Sequence, residues 1–303
     1  MIRYIKNTIA LFTISMLFVN CQDVIDVKLS DGSTLLVIDA WINNLDEPQV
    51  IKLNLATPYF DSSPQPAIND AIVTIKDNLG AEFVFTEDGN TGNYYYEDMS
   101  GNGFGTIGNT YTLSVNIDGV IYTSETNMGR VPVVDSIVFE DYEPTFGDDP
   151  IVDGFEGQFY AKDFVGEDDA YWIKTYKNGK YLNKPQELNY SYDAGFEVDG
   201  VTFIEPIRSG INREPDDDDD SEDSDKYPPY LSGDSVRVEI HSISVDAFWF
   251  LNEAWTQMTL GDNTIFAPPL VNVPTNIETP EGAIPAVGFF NVGAVEALEV
   301  VVP

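Results

Sequence analysis

Tyr111-Thr-Leu-Ser-Val-Asn-Ile117, then Asp118-Gly119, then Val120-Ile-Tyr-Thr-Ser124 is the stretch that decides the fold. Two runs rich in β-branched and aromatic residues flank a two-residue turn. Asp-Gly suits a turn whose central residues both take positive φ, which is the common way to reverse one strand into the next. The stretch predicts an antiparallel hairpin, and no helical period interrupts it.

Working outward, the same pattern continues. Leu35-Leu-Val-Ile-Asp-Ala-Trp-Ile42 is a near-continuous apolar run, as a buried strand would be. Gln49-Val-Ile-Lys-Leu-Asn-Leu55 alternates, and Ala71, Val73 and Ile75 share a face. Glu82–Thr86 and Asn93–Tyr96 complete a series of about seven short strands separated by turn residues, the mark of a β-sandwich. Residues 34–131 are therefore expected to form an immunoglobulin- or prealbumin-like sandwich.

Val131-Pro132-Val-Val-Asp135 reads as a joint, because proline cannot donate to a central ladder. Beyond it, residues 132–303 are expected to form a second β-rich domain carrying one helix. Its strands are Ser136–Phe139, Gly157–Tyr160, Ala170–Tyr176, Lys180–Leu182, Val236–Ile243, Val287–Phe290 and Ala297–Val302. Asn178-Gly179 predicts a second tight hairpin. Ser244 can cap a helix over 244–260, in which Phe248, Leu251, Trp255 and Met258 form an apolar stripe. The expected class is all-β.

The N-terminus carries a different signal. Arg3 and Lys6 precede an uncharged apolar stretch from Thr8 to Val19, which is too short to span a bilayer and reads as a signal-peptide core. Cys21, the only cysteine, follows in Leu17-Phe-Val-Asn-Cys21, which resembles a lipobox with Asn20 in place of the usual small residue. Residues 1–20 are expected to be removed as a lipoprotein signal peptide. Residues 21–33 would then form a tether with Cys21 lipidated by acyl chains such as palmitate, so that the membrane is a partner through the anchor. With Cys21 acylated, no thiol remains for disulfides, nucleophiles or thiolate metal sites. The formal charge of −36 excludes nucleic acid as a partner.

With these elements placed, the chain resembles an uncharacterised family, a domain of unknown function found in Gram-negative outer-membrane lipoproteins commonly encoded beside TonB-dependent receptors. The residues carrying the resemblance are Cys21–Asp26, Leu36–Ile42, Ile68–Ile75, Gly108–Leu113, Val131-Pro132 with Asp135–Ile137, helix 244–260 and Gly288-Phe-Phe290. The resemblance implies an outer-membrane location, lipid-anchored and on the extracellular face, with a TonB-dependent receptor as partner. It implies no catalytic residues.

Candidate sites are few. Asp216, Asp217, Asp218, Asp219, Asp220, Glu222, Asp223 and Asp225 supply hard oxygens suited to calcium, within an acidic insertion spanning 214–226. The run lacks the spaced ligands and turning glycine of an ordered calcium loop, so it reads as a solvated insertion, with calcium the one cofactor left open. Asp148, Asp149 and Asp153, and Glu167, Asp168 and Asp169, read as loop tips. His241, the only histidine, reads as a polar residue on an outer strand face, which excludes multi-histidine zinc sites. Tyr94–Tyr96, Tyr171-Trp172 and Tyr227-Pro-Pro-Tyr230 could stack on sugars or on a partner, with packing as the default, and Trp255 reads as core. Tyr227, Pro228, Pro229, Tyr230, Pro268 and Pro269 are the expected partner surface. No cofactor motif and no nucleophile elbow is present, and the chain reads as a non-enzyme. The preferred function is an accessory to a TonB-dependent receptor, capturing or gating substrate. The alternatives are a surface adhesin or matrix-contact protein, and a carboxylate-dependent hydrolase such as a glycosidase.

Overall fold

A computed structural model describes residues 34–58, 63–98, 101, 103–142, 154–166, 168–212, 229–260 and 273–303. The opening hairpin forms as expected. Strands β6 (Thr110–Ile117) and β7 (Val120–Asn127) pair throughout, from Thr110 opposite Asn127 to Ile117 opposite Val120. Asp118 and Gly119 both take positive φ, 52° and 88°, as this turn requires.

Five further strands precede that hairpin: β1 (Leu36–Asn43), β2 (Gln49–Leu55), β3 (Ile72–Asp77), β4 (Glu82–Glu87) and β5 (Asn93–Tyr96). After it come β8 (Val134–Asp141), β9 (Phe155–Ala161), β10 (Ala170–Lys177), β11 (Lys180–Tyr181), β12 (Asn189–Tyr192) and β13 (Ser235–Ile243). Helix α1 (Val245–Leu260), β14 (Ala286–Gly293) and β15 (Val295–Val301) complete the order. The class is all-β with one α-helix among the described residues.

Eight strands form the first sheet in the order β14-β1-β2-β5-β4-β3-β6-β7. It has two leaves, and β4 belongs to both. Residues Glu82–Phe85 pair with β3, while Thr86 and Glu87 pair with β5. A strand that changes partner in this way turns a corner between sheets. The two ends of the sheet then approach each other. Tyr122 on β7 donates its hydroxyl to the Ile284 carbonyl at 3.0 Å, and Ser124 donates to the Asn276 carbonyl at 2.8 Å. The result is a nearly closed barrel filled by Ile38, Ile42, Ile51, Leu53, Val73, Leu113, Val115 and Phe290.

The parallel partner of β1 is β14, in register from Leu36 opposite Ala286 to Asn43 opposite Gly293. The chain beyond residue 131 therefore supplies a strand to the sheet built by residues 34–131. Parallel pairing of strands so distant in sequence leaves no local pattern to read. The apolar run of β1 is consistent with this placement. Its even-numbered residues point into the barrel, while Trp41 on the other face stacks on Phe289 at 5.7 Å and meets Trp172 edge-on at 5.0 Å.

A second sheet runs β11-β10-β13-β15, with β12 paired to the start of β10. A two-stranded ladder of β8 and β9 lies against it, and Ile137, Phe159, Ile173, Phe203, Val238 and Ile240 fill the space between. Helix α1 starts as expected: the Ser244 hydroxyl accepts from the Ala247 N–H at 3.1 Å. Phe248 and Leu251 are buried, but Trp255 is half-buried and Met258 is 53% exposed, so the stripe covers core only over its first half. Trp255 is not a core residue as expected; it is half-buried and lines a cleft together with residues of β12.

Candidate functional site

An open cleft of about 430 Å³ lies beside α1 between Phe248 and Trp255. Four segments build it. Strand β12, Asn189-Tyr-Ser-Tyr192, alternates amide or hydroxyl with aromatic, and its period of two places Tyr190 and Tyr192 toward the helix. Tyr190 and Tyr192 both pack against Phe248, at 5.4 and 5.8 Å between ring centres. The helix contributes Phe248, Asn252 and Trp255, spaced four and three residues apart and therefore on one face. A single 3-10 turn, Pro185–Glu187, adds Gln186, and the irregular segment after β12 adds Phe196, Ile204, Pro206 and Ile207.

Phe248 is the floor, at 1% exposed. Phe196 is the wall, at 67% exposed, with its ring 6.3 Å from that of Phe248. Its backbone sits at φ +44°, and its neighbour Glu197 at +66°. A bulky non-glycine residue in the left-handed region is uncommon and costs on the order of 1 kcal/mol or more. The segment spends that energy to hold an aromatic ring out over the cleft.

The polar complement is small and uncharged in effect. The Tyr190 hydroxyl donates to the Asn252 amide oxygen at 3.1 Å, which leaves the Asn252 NH₂ without a protein acceptor among the described residues. Burial raises the Tyr190 hydroxyl above its ordinary pKa, so it stays protonated as that donor. Asn189 donates to the Ile207 carbonyl at 2.9 Å, and the Gln186 amide makes no hydrogen bond among the described residues. Glu205 is the only lining residue that carries a charge at pH 7. Its carboxylate is engaged, pairing with Arg208 at 3.1 Å and accepting from Ser209.

A second polar feature lies on the far face of β13. Here the expectation for His241 is overturned: it is 6% exposed, not on an outer face. Both faces of β13 are covered, because Trp41 to Asn43 of β1, Trp172 and Lys174 of β10 and Asn291 of β14 surround His241 on the polar side. Glu239, also buried, accepts from His241 at 2.9 Å, from Arg237 at 2.8 Å and from the Tyr176 hydroxyl at 3.3 Å. Burial would raise the Glu239 pKa, but the donors from His241 and Arg237 outweigh it and hold it below the usual carboxylate range. Lys174 lies 4.2 Å over the Trp172 ring, and burial lowers its pKa.

The remaining sequence candidates separate cleanly. Cys21, Asp216, Asp217, Asp218, Asp219, Asp220, Glu222, Asp223, Asp225, Tyr227, Pro228, Pro268 and Pro269 lie outside the described residues, as do Asp148, Asp149, Asp153 and Glu167. Pro229 is half-buried, and its ring closes against Gly154. Tyr230 is 1% exposed, with its hydroxyl donated to the Ile211 carbonyl and its ring edge-on to Phe139, so it is core and not partner surface. Asp169 is not a free loop tip, since Arg130 grips it at 2.9 and 3.0 Å. Tyr94 and Tyr171 are buried, the first bonded to the Ile68 carbonyl and the second to Asp163. Among the described residues no group of three His, Cys, Asp or Glu is placed to hold a metal ion.

Phe196, Gln186, Tyr190 and Asn252 were not among the sequence candidates. The Asn-Tyr-Ser-Tyr alternation at 189–192 was the signal that could have found the cleft, being a short strand with two aromatics on one face.

The fold is thus an all-β one, a nearly closed barrel followed by a second sheet that carries one helix and an aromatic cleft. Residues 22–299 match the family described as Domain of unknown function (DUF4249), and the chain belongs to that family. No curated protein matches the chain.

Proposed function

We propose that this protein is an outer-membrane lipoprotein, anchored through Cys21 and displayed on the extracellular face, that serves a TonB-dependent receptor by capturing or gating its substrate. It acts by binding and not by catalysis. The observation that carries the capture role is the cleft beside α1. A concave site of this size, mostly apolar with a few convergent polar groups, falls in the range of ligand sites. The anchor rests on the lone cysteine behind the apolar stretch Thr8–Val19. The receptor partnership rests on the resemblance to lipoproteins encoded beside such receptors. It also has a physical motive, since a protein held by lipid alone needs another molecule to move a substrate across the membrane.

The test is affinity purification of the tagged protein at native expression, from mild detergent and after crosslinking. A large β-barrel receptor should come down with it in near-stoichiometric amount. Recovery of the lipoprotein alone under both conditions would reject the partnership and leave the surface adhesin reading.

A further inference from the structure

We infer that the cleft beside α1 takes a neutral saccharide, docked by the flat face of a sugar ring against Phe196 and Trp255. The inference rests on reading the protein as a capture module and names what it captures. Three features of the site lead to it.

The first is charge. The cleft has no cation among its lining residues, and the chain as a whole carries −36, so an anionic ligand meets repulsion and no partner. The only lining carboxylate, Glu205, is held by Arg208 and Ser209, so a cationic ligand finds no open counter-charge. With no direct ion pair on offer to a ligand of either sign, the lining itself matches a neutral one.

The second is the disposition of the rings. Phe248 is sealed as floor, while Phe196 and Trp255 keep ring surface open at the cleft. The left-handed backbone at 196 and 197 fixes the Phe196 ring over the cleft, so a ligand meets an aromatic surface already in place. A pyranose offers one face of C–H bonds, which packs on an aromatic ring, and an edge of hydroxyls.

The third is the polar edge. The Asn252 NH₂ and the whole Gln186 amide are unspent among the described residues, and the Asn189 amide oxygen makes no hydrogen bond there. Amides supply both donors and acceptors, which is what vicinal hydroxyls need and what a purely apolar ligand would leave unpaired at a cost. A fatty chain would desolvate these amides without replacing their hydrogen bonds.

The experiment is calorimetric titration of the full chain, purified in lauryldimethylamine oxide, a detergent without a sugar headgroup. The probes are maltohexaose, cellohexaose, xylohexaose and mannohexaose, with dodecanol as the apolar comparison. At least one oligosaccharide should bind saturably. Phe196→Ala and Trp255→Ala should each weaken it at least tenfold with unchanged melting temperature, and Trp255→Phe should restore most of the affinity. Absence of saturable binding to all four sugars, binding indifferent to both alanine variants, or saturable binding of dodecanol alone would overturn the inference. Those results leave the receptor partnership standing, since co-purification is read separately. Sugar binding without a co-purifying barrel would reject the partnership alone.

Discussion

Nε2 of His241 lies 2.9 Å from the Glu239 carboxylate, with both side chains buried on the polar face of β13. Burial first, and then the positive charge of Lys174 on β10, push the His241 pKa down to about 4, although Glu239 pulls the other way. The ring is therefore neutral at pH 7, and a neutral ring facing a carboxylate must donate through that nitrogen. Arg237 on β13 and Tyr176 on β10 complete the charged and titratable surroundings.

The first prediction is a loss of stability on acidification. Unfolded, His241 takes a proton near the ordinary histidine value of 6.5, whereas folded it resists until about 4. Between those values the unfolded chain binds more protons, so stability falls as pH falls, by up to about 1.4 kcal/mol per pH unit. From pH 7 to pH 5 the contribution is about 2 kcal/mol. Glu239, with its pKa lowered, adds its own loss only below the ordinary carboxylate range. Urea unfolding at pH 7 and pH 5 measures this. His241→Gln should shrink the difference between the two by about 2 kcal/mol relative to the parent. Identical pH dependence in parent and variant would show that the ring titrates normally.

The second prediction concerns Gly288 on β14. Its φ is +99°, and a Cβ built on it would stand 2.1 Å from the Ile38 carbonyl oxygen of β1. The obstacle is backbone of the β14–β1 parallel pair, which cannot swing aside. Gly288→Ala should cost about 3 kcal/mol or more, through strain plus separation of the strands. A drop below 1 kcal/mol in chemical denaturation would mean that β14 does not seat against β1 in this register.

The elements of the fold were legible in the sequence to different degrees. The hairpins at Asp118-Gly119 and Asn178-Gly179 were legible because a two-residue turn with positive φ admits few residue types. Helix α1 announced itself through its cap and periodicity, but its apolar stripe said nothing about where along the helix the core would end. The parallel seating of β14 on β1 was not legible, since no local signal fixes a partner some 250 residues away. His241 was misplaced because alternation along β13 gives only two faces, not what covers each one. The cleft was missed because β12 has four residues, fewer than a periodicity can establish, and because Phe196 owes its exposure to backbone conformation and not to sequence pattern.

The third prediction tests the latch after β7. Arg130 forks onto Asp169, reaches the Val165 carbonyl at 3.2 Å and stacks over Phe164 at 4.7 Å. It thereby fastens the connection between β7 and β8 to the loop that leads into β10. Lysine has the charge but not the planar fork, so Arg130→Lys should lose about 1–2 kcal/mol. Arg130→Ala strands the Asp169 carboxylate and should lose about 2–3 kcal/mol, which at this chain length is a fall of several degrees in Tm. A double-mutant cycle with Asp169→Ala should return a coupling of about 1–2 kcal/mol. Additive effects would show that the two side chains act independently.

The last prediction is the anchor. The stretch from Thr8 to Val19 is too short to hold a protein in a bilayer as a spanning helix, and no described helix is long and apolar enough to cross one. If the protein is membrane-bound through its N-terminus, acyl chains on Cys21 must supply the attachment, and two or more chains are needed for it to be firm. Cys21→Ala removes the acceptor thiol and leaves the described fold untouched. The variant should leave the membrane fraction and appear soluble, with the melting temperature of the parent. Metabolic labelling with a palmitate analogue should mark the parent and not the variant. Retention of Cys21→Ala in the membrane after a high-salt wash, or label that persists without Cys21, would reject the anchor. Release of the variant together with loss of receptor co-purification would show in addition that the lipid holds the protein within reach of its partner.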